Sequence, residues 1–278
     1  MASEGSNIAL ANANNHVGVH LYKLLAEEGK NVFFSPFSIS TALAMLHCGA
    51  QKETAEEMRN VLGYEIANIK DDELKFLDGK FDEKNTFLQY FYNKGDEEEY
   101  KQVEMMHLKE KFPYVEKESF KALQLPYKGE DISMIILLPN ARDGLEELEK
   151  SLSLDFIQDL TKSMRKRKVE VALPKFRLEY SKSLKESFQA LGMNRVFNSG
   201  AHLNGINDSD QLLVSEILHK AVLIVNEEGS EAAAVTAVMV MMCSLQFDPE
   251  FIVDHPFMFA IYNCKNNLIL FMGRVDEL

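Results

Sequence analysis

The chain has 278 residues, 46% of them hydrophobic and 26% charged, with 14 glycines and 7 prolines. That composition excludes collagen-like, low-complexity and wholly disordered chains and admits a packed core in one large or two small domains. Thirty basic against 43 acidic side chains leave a net charge of −13, which repels phosphate backbones and argues against nucleic acid or an anionic membrane as partner.

Three cysteines, Cys48, Cys243 and Cys264, form no CxxC pair. So sparse a set speaks against a disulfide-stapled module and for a reducing, cytoplasmic setting. The stretch Met1–Asn7 carries an acid and no apolar run, so the start reads as leaderless, with leaderless secretion as the route to any extracellular action. No run reaches the 18 or so apolar residues of a membrane span. Histidines show no HxxxH or HExxH spacing, and neither a GxSxG elbow nor a phosphate-cradling glycine loop occurs, so no metal or cofactor is expected.

In chain order, apolar residues recurring at three- and four-residue steps predict an amphipathic helix over 7–27. Phe33-Phe34-Ser35-Pro36 interrupts it, and a helix poor in charge is expected from Ser38. Lys52 to Leu62 reads as a charged amphipathic helix, whereas 65–80 fits neither period. Strands are expected at Val103–His107 and Phe120–Pro126. Ile132–Pro139 is a continuous apolar run, the pattern of a strand covered on both faces. Gly144–Leu152 and Leu154–Met164 read as helices, Val169–Phe176 as a strand and Ser183–Leu191 as a helix closed by Gly192. Val214–Asn226 reads as largely strand, and Phe251–Tyr262 with Asn267–Val275 as a hairpin. Helices first, then strands, with no linker and no repeat, predict one α+β domain over 1–278.

One basic cluster stands out, Lys162, Arg165, Lys166, Arg167 and Lys168. A site for a sulfated sugar or other polyanion is one reading. The simpler one is a solvated helix end whose cations complement the dipole.

The stretch from Ala232 to Phe247 carries no charge at all. It lies between Asn226-Glu227-Glu228-Gly229-Ser230-Glu231 and Asp248-Pro249, both loop punctuation. The interior is β-prone and proline-free, apt to pair with another strand. A buried core strand is one reading, although so long a stretch far exceeds the usual strand length. The other is a loop exposed in one state and a sheet strand in a second. Alanines suit that entry, since they bring little volume and little side-chain entropy.

These residues resemble the reactive-loop hinge of the serpins, the hinge comprising Glu228, Gly229, Ser230, Glu231, Ala232, Ala233 and Ala234. Further motifs follow in that family's order: Asn31-Val-Phe-Phe-Ser-Pro-Phe-Ser-Ile-Ser, Leu125-Pro-Tyr-Lys-Gly-Glu-Asp-Ile-Ser-Met-Ile-Ile-Leu-Leu-Pro, Leu173-Pro-Lys-Phe, His219-Lys-Ala-Val, Asp254-His-Pro-Phe and Phe271-Met-Gly-Arg-Val. The ensemble is most similar to the intracellular, ovalbumin-like branch. The resemblance implies a serpin fold, with a mixed large sheet, barrel-like smaller sheets and helices. It implies an inhibitor rather than an enzyme: a bait for a serine protease, cleaved in a reactive loop at about 229–248 that then inserts into the large sheet. Family spacing puts the scissile bond at Cys243–Ser244, with Met242–Cys243 as the alternative. With no Lys or Arg from Ala232 to Phe247, a trypsin-like pocket with its buried carboxylate is disfavoured. Chymotrypsin-like or elastase-like proteases are the expected partners, with cathepsin-type cysteine proteases a second class. His219 and His255 are expected to be structural hydrogen-bonders. A third role, as a thiol-dependent enzyme using Cys243 or Cys48, needs a histidine partner that sequence does not place. For Cys243 a redox-sensitive thiol is a further reading, against the simpler one of an inert small apolar side chain.

One departure stands out. Between Leu62-Gly63-Tyr64 and Lys80-Phe81-Asp82 the family places several helices and half of the large sheet, including its tryptophan-containing segment. This chain offers only the segment Glu65–Gly79 and has no tryptophan. An internal deletion around 65–79 is therefore expected, removing a strand that flanks the inserting loop. The exposed edge invites loop–sheet self-association, and a truncated, non-inhibitory protein that is merely cleaved, or that acts as a binding protein, is the alternative function.

Overall fold

The computed structural model describes residues 4–62, 81, 83–207, 212–227 and 248–278. The expected deletion around 65–79 and the expected loop residues Glu228, Gly229, Ser230, Glu231, Ala232, Ala233, Ala234, Met242, Cys243 and Ser244 lie outside them.

Three helices open the chain: α1 (Glu4–Ala26), α2 (Pro36–Gly49) and α3 (Lys52–Leu62), with the short strand β1 (Val32–Phe34) after α1. α2 begins two residues earlier than its apolar pattern suggests because Ser35 caps it. The Ser35 hydroxyl accepts the Ser38 N–H at 3.0 Å, and Pro36 occupies the first turn, where its missing N–H costs nothing.

The strand-rich part follows: β2 (Thr86–Tyr92), β3 (Tyr100–Glu116), β4 (Phe120–Pro126), β5 (Ile132–Pro139), then helices α4 (Leu145–Lys150) and α5 (Leu154–Ser163). After these come β6 (Arg165–Pro174), β7 (Phe176–Ser183), α6 (Lys185–Ala190), β8 (Leu218–Val225), β9 (Glu250–Ile252), β10 (Phe257–Asn263) and β11 (Leu268–Val275). Among the described residues, nine strands form one sheet in the order β1-β11-β10-β5-β4-β3-β6-β9, with β2 also on β3. The sheet is mixed, since β6 and β9 run parallel and the other pairs antiparallel. β7 and β8 form a separate antiparallel pair.

The alternation within strands explains the layering. Along β10, Met258, Ala260 and Tyr262 join Leu21, Tyr22 and Leu43 of the helices in one core. Phe257, Phe259 and Ile261 face the opposite way, into a second core shared with Phe176, Leu178, Ala221 and Val225 of β7 and β8. The large sheet is thus covered by helices on one face and by the β7–β8 pair on the other, which is why Ser133 to Pro139 is buried at every position.

Several expectations are corrected here. Val169–Phe176 is not one strand. The ladder of β6 ends at Pro174, which has no N–H to donate, and after Lys175 the chain passes into the other sheet as β7. That strand runs to Ser183, so α6 begins only at Lys185 and is closed by Gly192 at φ +106°. The strand expected from Val214 starts at Leu218. The segment Phe251–Tyr262 divides at Asp254-His255-Pro256 into β9, which pairs with β6, and β10, which forms the expected hairpin with β11. The basic cluster is not a helix end: Lys162 closes α5, whereas Arg165 to Lys168 are the exposed first residues of β6.

Candidate functional site

Both flanks of the uncharged segment are held by built contacts. On the N-terminal side β8 ends at Val225, and Glu227 follows with its side chain 4% exposed. The Thr86 hydroxyl, at the start of β2, donates to Glu227 Oε1 at 2.5 Å, and Lys175 Nζ lies 3.0 Å from Glu227 Oε2. Burial by itself pushes the Glu227 pKa up, but the Thr86 bond, its backbone bond and the Lys175 charge outweigh it and hold the carboxyl below the usual glutamate range. Lys175 is the single residue linking β6 to β7. It is positioned by donating its own N–H to the Glu104 carbonyl at 2.8 Å, and its ammonium also reaches Glu104 Oε1 at 3.4 Å.

On the C-terminal side, Lys109 of β3 pairs with Asp248 Oδ2 at 3.3 Å and with Glu170 at 3.2 Å. The Glu170 N–H donates to the Pro249 carbonyl at 3.0 Å, and Glu250, Phe251 and Ile252 then join β6 opposite Glu170, Val171 and Ala172. Sequence patterning does not reveal Thr86, Lys109 or Lys175. Their partners come from strands and loops distant in the chain, and a lone lysine on a strand reads as a surface cation.

β8 has a strand neighbour on one edge only among the described residues. Its outward row is apolar except for Lys220, with Leu218 80%, Val222 45% and Ile224 48% exposed. At its other end His219 is buried, and its Nε2 accepts the Ser35 backbone N–H at 3.2 Å. An acceptor nitrogen must be unprotonated, and burial accordingly lowers the His219 pKa. His255 lies with Nδ1 at 2.6 Å from Asp254 and Nε2 at 2.8 Å from the Pro139 carbonyl. Both histidines are thus hydrogen-bonded within the fold, as expected from the sequence.

Among the described residues neither cysteine meets an imidazole. Cys48 is exposed at the end of α2, and Cys264 contacts Ser133 and Gln124. No group of three His, Cys, Asp or Glu is arranged for a metal among the described residues. No described helix is long and apolar enough to cross a membrane.

The family model described as "Serpin (serine protease inhibitor)" matches residues 12–79 and 75–278. The match falls into two segments that meet where the sequence suggests missing residues. Intracellular coagulation inhibitor 2 of Tachypleus tridentatus is 32% identical over 380 positions, covering 99% of this chain and 93% of that protein. The leukocyte elastase inhibitor of Xenopus laevis is 32% identical over 374 positions, covering 96% and 99%. Both alignments are longer than the chain itself, so both relatives carry residues for which it has no counterpart. The crystal structure of uncleaved ovalbumin superposes with a TM-score of 0.85 at 21% identity, over 97% of this chain and all of that one, a likeness of fold. The chain belongs to the serpin family of serine protease inhibitors, in the branch of the intracellular serpins.

Proposed function

We propose that this protein inhibits a serine protease by offering the loop at about 229–248 as bait, cleaved at Cys243–Ser244 or, failing that, at Met242–Cys243. The observation that carries this reading is the pair of anchors. Glu227 is gripped by Thr86 and Lys175, and Asp248–Glu250 by Lys109 and β6, so an uncharged segment is tethered at both ends to a folded body. In the chemistry implied, the protease serine oxygen attacks the carbonyl carbon of Cys243. The bond to the Ser244 nitrogen breaks, the amine takes a proton, and an acyl-enzyme remains. Entry of the cleaved loop beside β8 would carry that acyl-enzyme away before water attacks it. A bait residue without positive charge fits chymotrypsin-like or elastase-like pockets, with cysteine proteases as a second class. On this reading 1–278 is one domain lacking an internal block around 65–79, and the protein acts in the cytoplasm, with extracellular action as the alternative.

A specific observation favours a second reading, a serpin that is cut without trapping. The inserting strand would find β8 on one side, and no strand for its other edge occurs among the described residues. Half a ladder gives a weaker drive for insertion. The same open edge suits loop–sheet self-association between copies.

Incubation with chymotrypsin and elastase, followed by denaturing electrophoresis and sequencing of the released peptide, separates the two. A protease-sized shift that survives SDS supports inhibition. Clean cleavage with no shift and no gain in melting temperature supports the second reading.

A further inference from the structure

The cations that the sequence assigns to a helix end lie instead beside the C-terminal root of the loop. Arg165 to Lys168 are exposed at the start of β6, and Lys111 of β3 lies directly opposite Lys168. Lys111, Lys166 and Lys168 share the face of Lys109 and Glu170, whereas Arg167, opposite Phe112, lies on the other face. Lys111, Lys166 and Lys168 have no carboxylate partner among the described residues. Their neighbours do: Lys109, two residues before Lys111, holds Asp248 and Glu170, and Glu170, two residues after Lys168, holds Pro249. Two residues along a strand span about 7 Å, so the unpaired cations begin one pleat from the loop's root. A like-charged pair facing across strands costs stability, and neither Lys111 nor Lys168 forms an ion pair among the described residues.

We propose that this patch is a docking surface for an acidic region on the target protease, contacted while the loop occupies the protease's active site. The proposal rests on the bait reading above. Ser244 precedes Asp248 by four residues, which reach at most about 14 Å when extended, less than the width of any protease. A protease engaged at residue 243 therefore has to overlie the loop's root and the strands beside it. The charge of the chain as a whole makes the patch selective. Net −13 repels an acidic protein from most directions, and the run Asp96-Glu97-Glu98-Glu99 stands just before β3, whose far end carries Lys111. An acidic partner is thus turned toward one end of the molecule, and oriented encounter of this kind raises association rates by about 10-fold or more.

The test compares native chymotrypsin with chymotrypsin succinylated on its lysines, the same active site with a more acidic surface. The substrates are the parent protein, a Lys111→Ala/Lys166→Ala/Lys168→Ala variant, and a Lys23→Ala/Lys30→Ala/Lys150→Ala variant that removes equal charge elsewhere. The rate of loop cleavage or of complex formation is read, whichever occurs, so failure to trap the protease overturns inhibition and leaves this measurement intact. Equilibrium binding of succinylated chymotrypsin blocked at its active serine is read alongside. Loss of the patch should slow the succinylated enzyme roughly tenfold at low salt, erase its salt dependence and weaken the blocked enzyme, with little effect on native chymotrypsin. Equal slowing by both variants, equal slowing of both enzymes, or no binding by the blocked enzyme would overturn the proposal. So would capture of a heparin fragment by the patch with protease rates unchanged, which would identify a polyanion site instead.

Discussion

Lys175 Nζ and Glu227 Oε2 stand 3.0 Å apart, so the residue that links β6 to β7 also grips the chain where β8 gives way to the proposed bait loop. Glu227 is the more buried partner, and Thr86 adds a charge-assisted bond to the same carboxylate. Glu227→Ala should therefore lower stability by about 2 kcal/mol, a fall of roughly 4–8 °C in melting temperature. Thr86→Val should cost about half as much. A thermal melt of Glu227→Ala indistinguishable from that of the parent would show that the anchor is incidental.

His219 makes the opposite end of β8 sensitive to pH. Its Nε2 accepts from the Ser35 N–H, so the folded protein requires the neutral ring, and burial holds the pKa below its ordinary 6.5. As pH falls through 6.5 the unfolded chain takes up a proton that the folded one resists. The stabilisation from this site is complete above that value and is lost progressively below it. Melting temperatures at about pH 7.5 and about pH 5.5 should differ more for the parent than for His219→Gln, whose amide oxygen accepts the same bond without titrating. An equal acid-induced drop in the two proteins would remove His219 as the cause.

What is legible in the sequence follows physical range. Ile132–Pro139 and the β10–β11 hairpin can be read because burial on both faces leaves an unbroken apolar run and the hairpin partner is local. β9 cannot: so short a strand carries no period, and its partner β6 lies far earlier in the chain. β7 escapes notice although Phe176 and Leu178 alternate with Arg177 and Glu179, because its polar end, Tyr180–Ser183, merges into the helical pattern of α6. The basic cluster misleads for a related reason. Arg165 to Lys168 put charge on both faces of a strand end, which erases the alternation by which strands are recognised. The loop's flanks emerge from composition and family resemblance, whereas Thr86, Lys109 and Lys175, which fasten them, emerge only when distant strands are brought together.

A buried charge cluster ties the C-terminal strand to the helices. Arg274, with its side chain 4% exposed, donates to Glu149 Oε2 at 2.9 Å and to Asp276 Oδ1 at 2.6 Å, while the Tyr22 hydroxyl donates to Glu149 Oε1 at 2.6 Å. Arg274→Leu would leave two carboxylates buried without a counter-charge, and removing one partner of such a pair costs roughly 3–5 kcal/mol. Urea unfolding should register that loss as a lower midpoint with an unchanged slope. Arg274→Lys keeps the charge but loses the two-pronged geometry and should fall between. A midpoint within error of the parent for Arg274→Leu would refute the account.

The proposed scissile bond makes the sharpest demand on specificity. A trypsin-like pocket carries a carboxylate at its base and gains most from a cation before the cut, and none is present from Ala232 to Phe247. Cys243→Arg should therefore make the loop a trypsin substrate, with the new N-terminus at Ser244, and the rate should rise by roughly a hundredfold or more over the parent. Met242→Arg should shift the cut by one residue, to leave Cys243 at the new N-terminus. On the bait reading both positions lie on the exposed loop, so the melting temperatures of the two variants should match the parent's. Trypsin cleavage of Cys243→Arg at any bond other than 243–244, or none at all, would mean that residue 243 is not offered to the protease, and the bait position would have to be sought elsewhere in the loop.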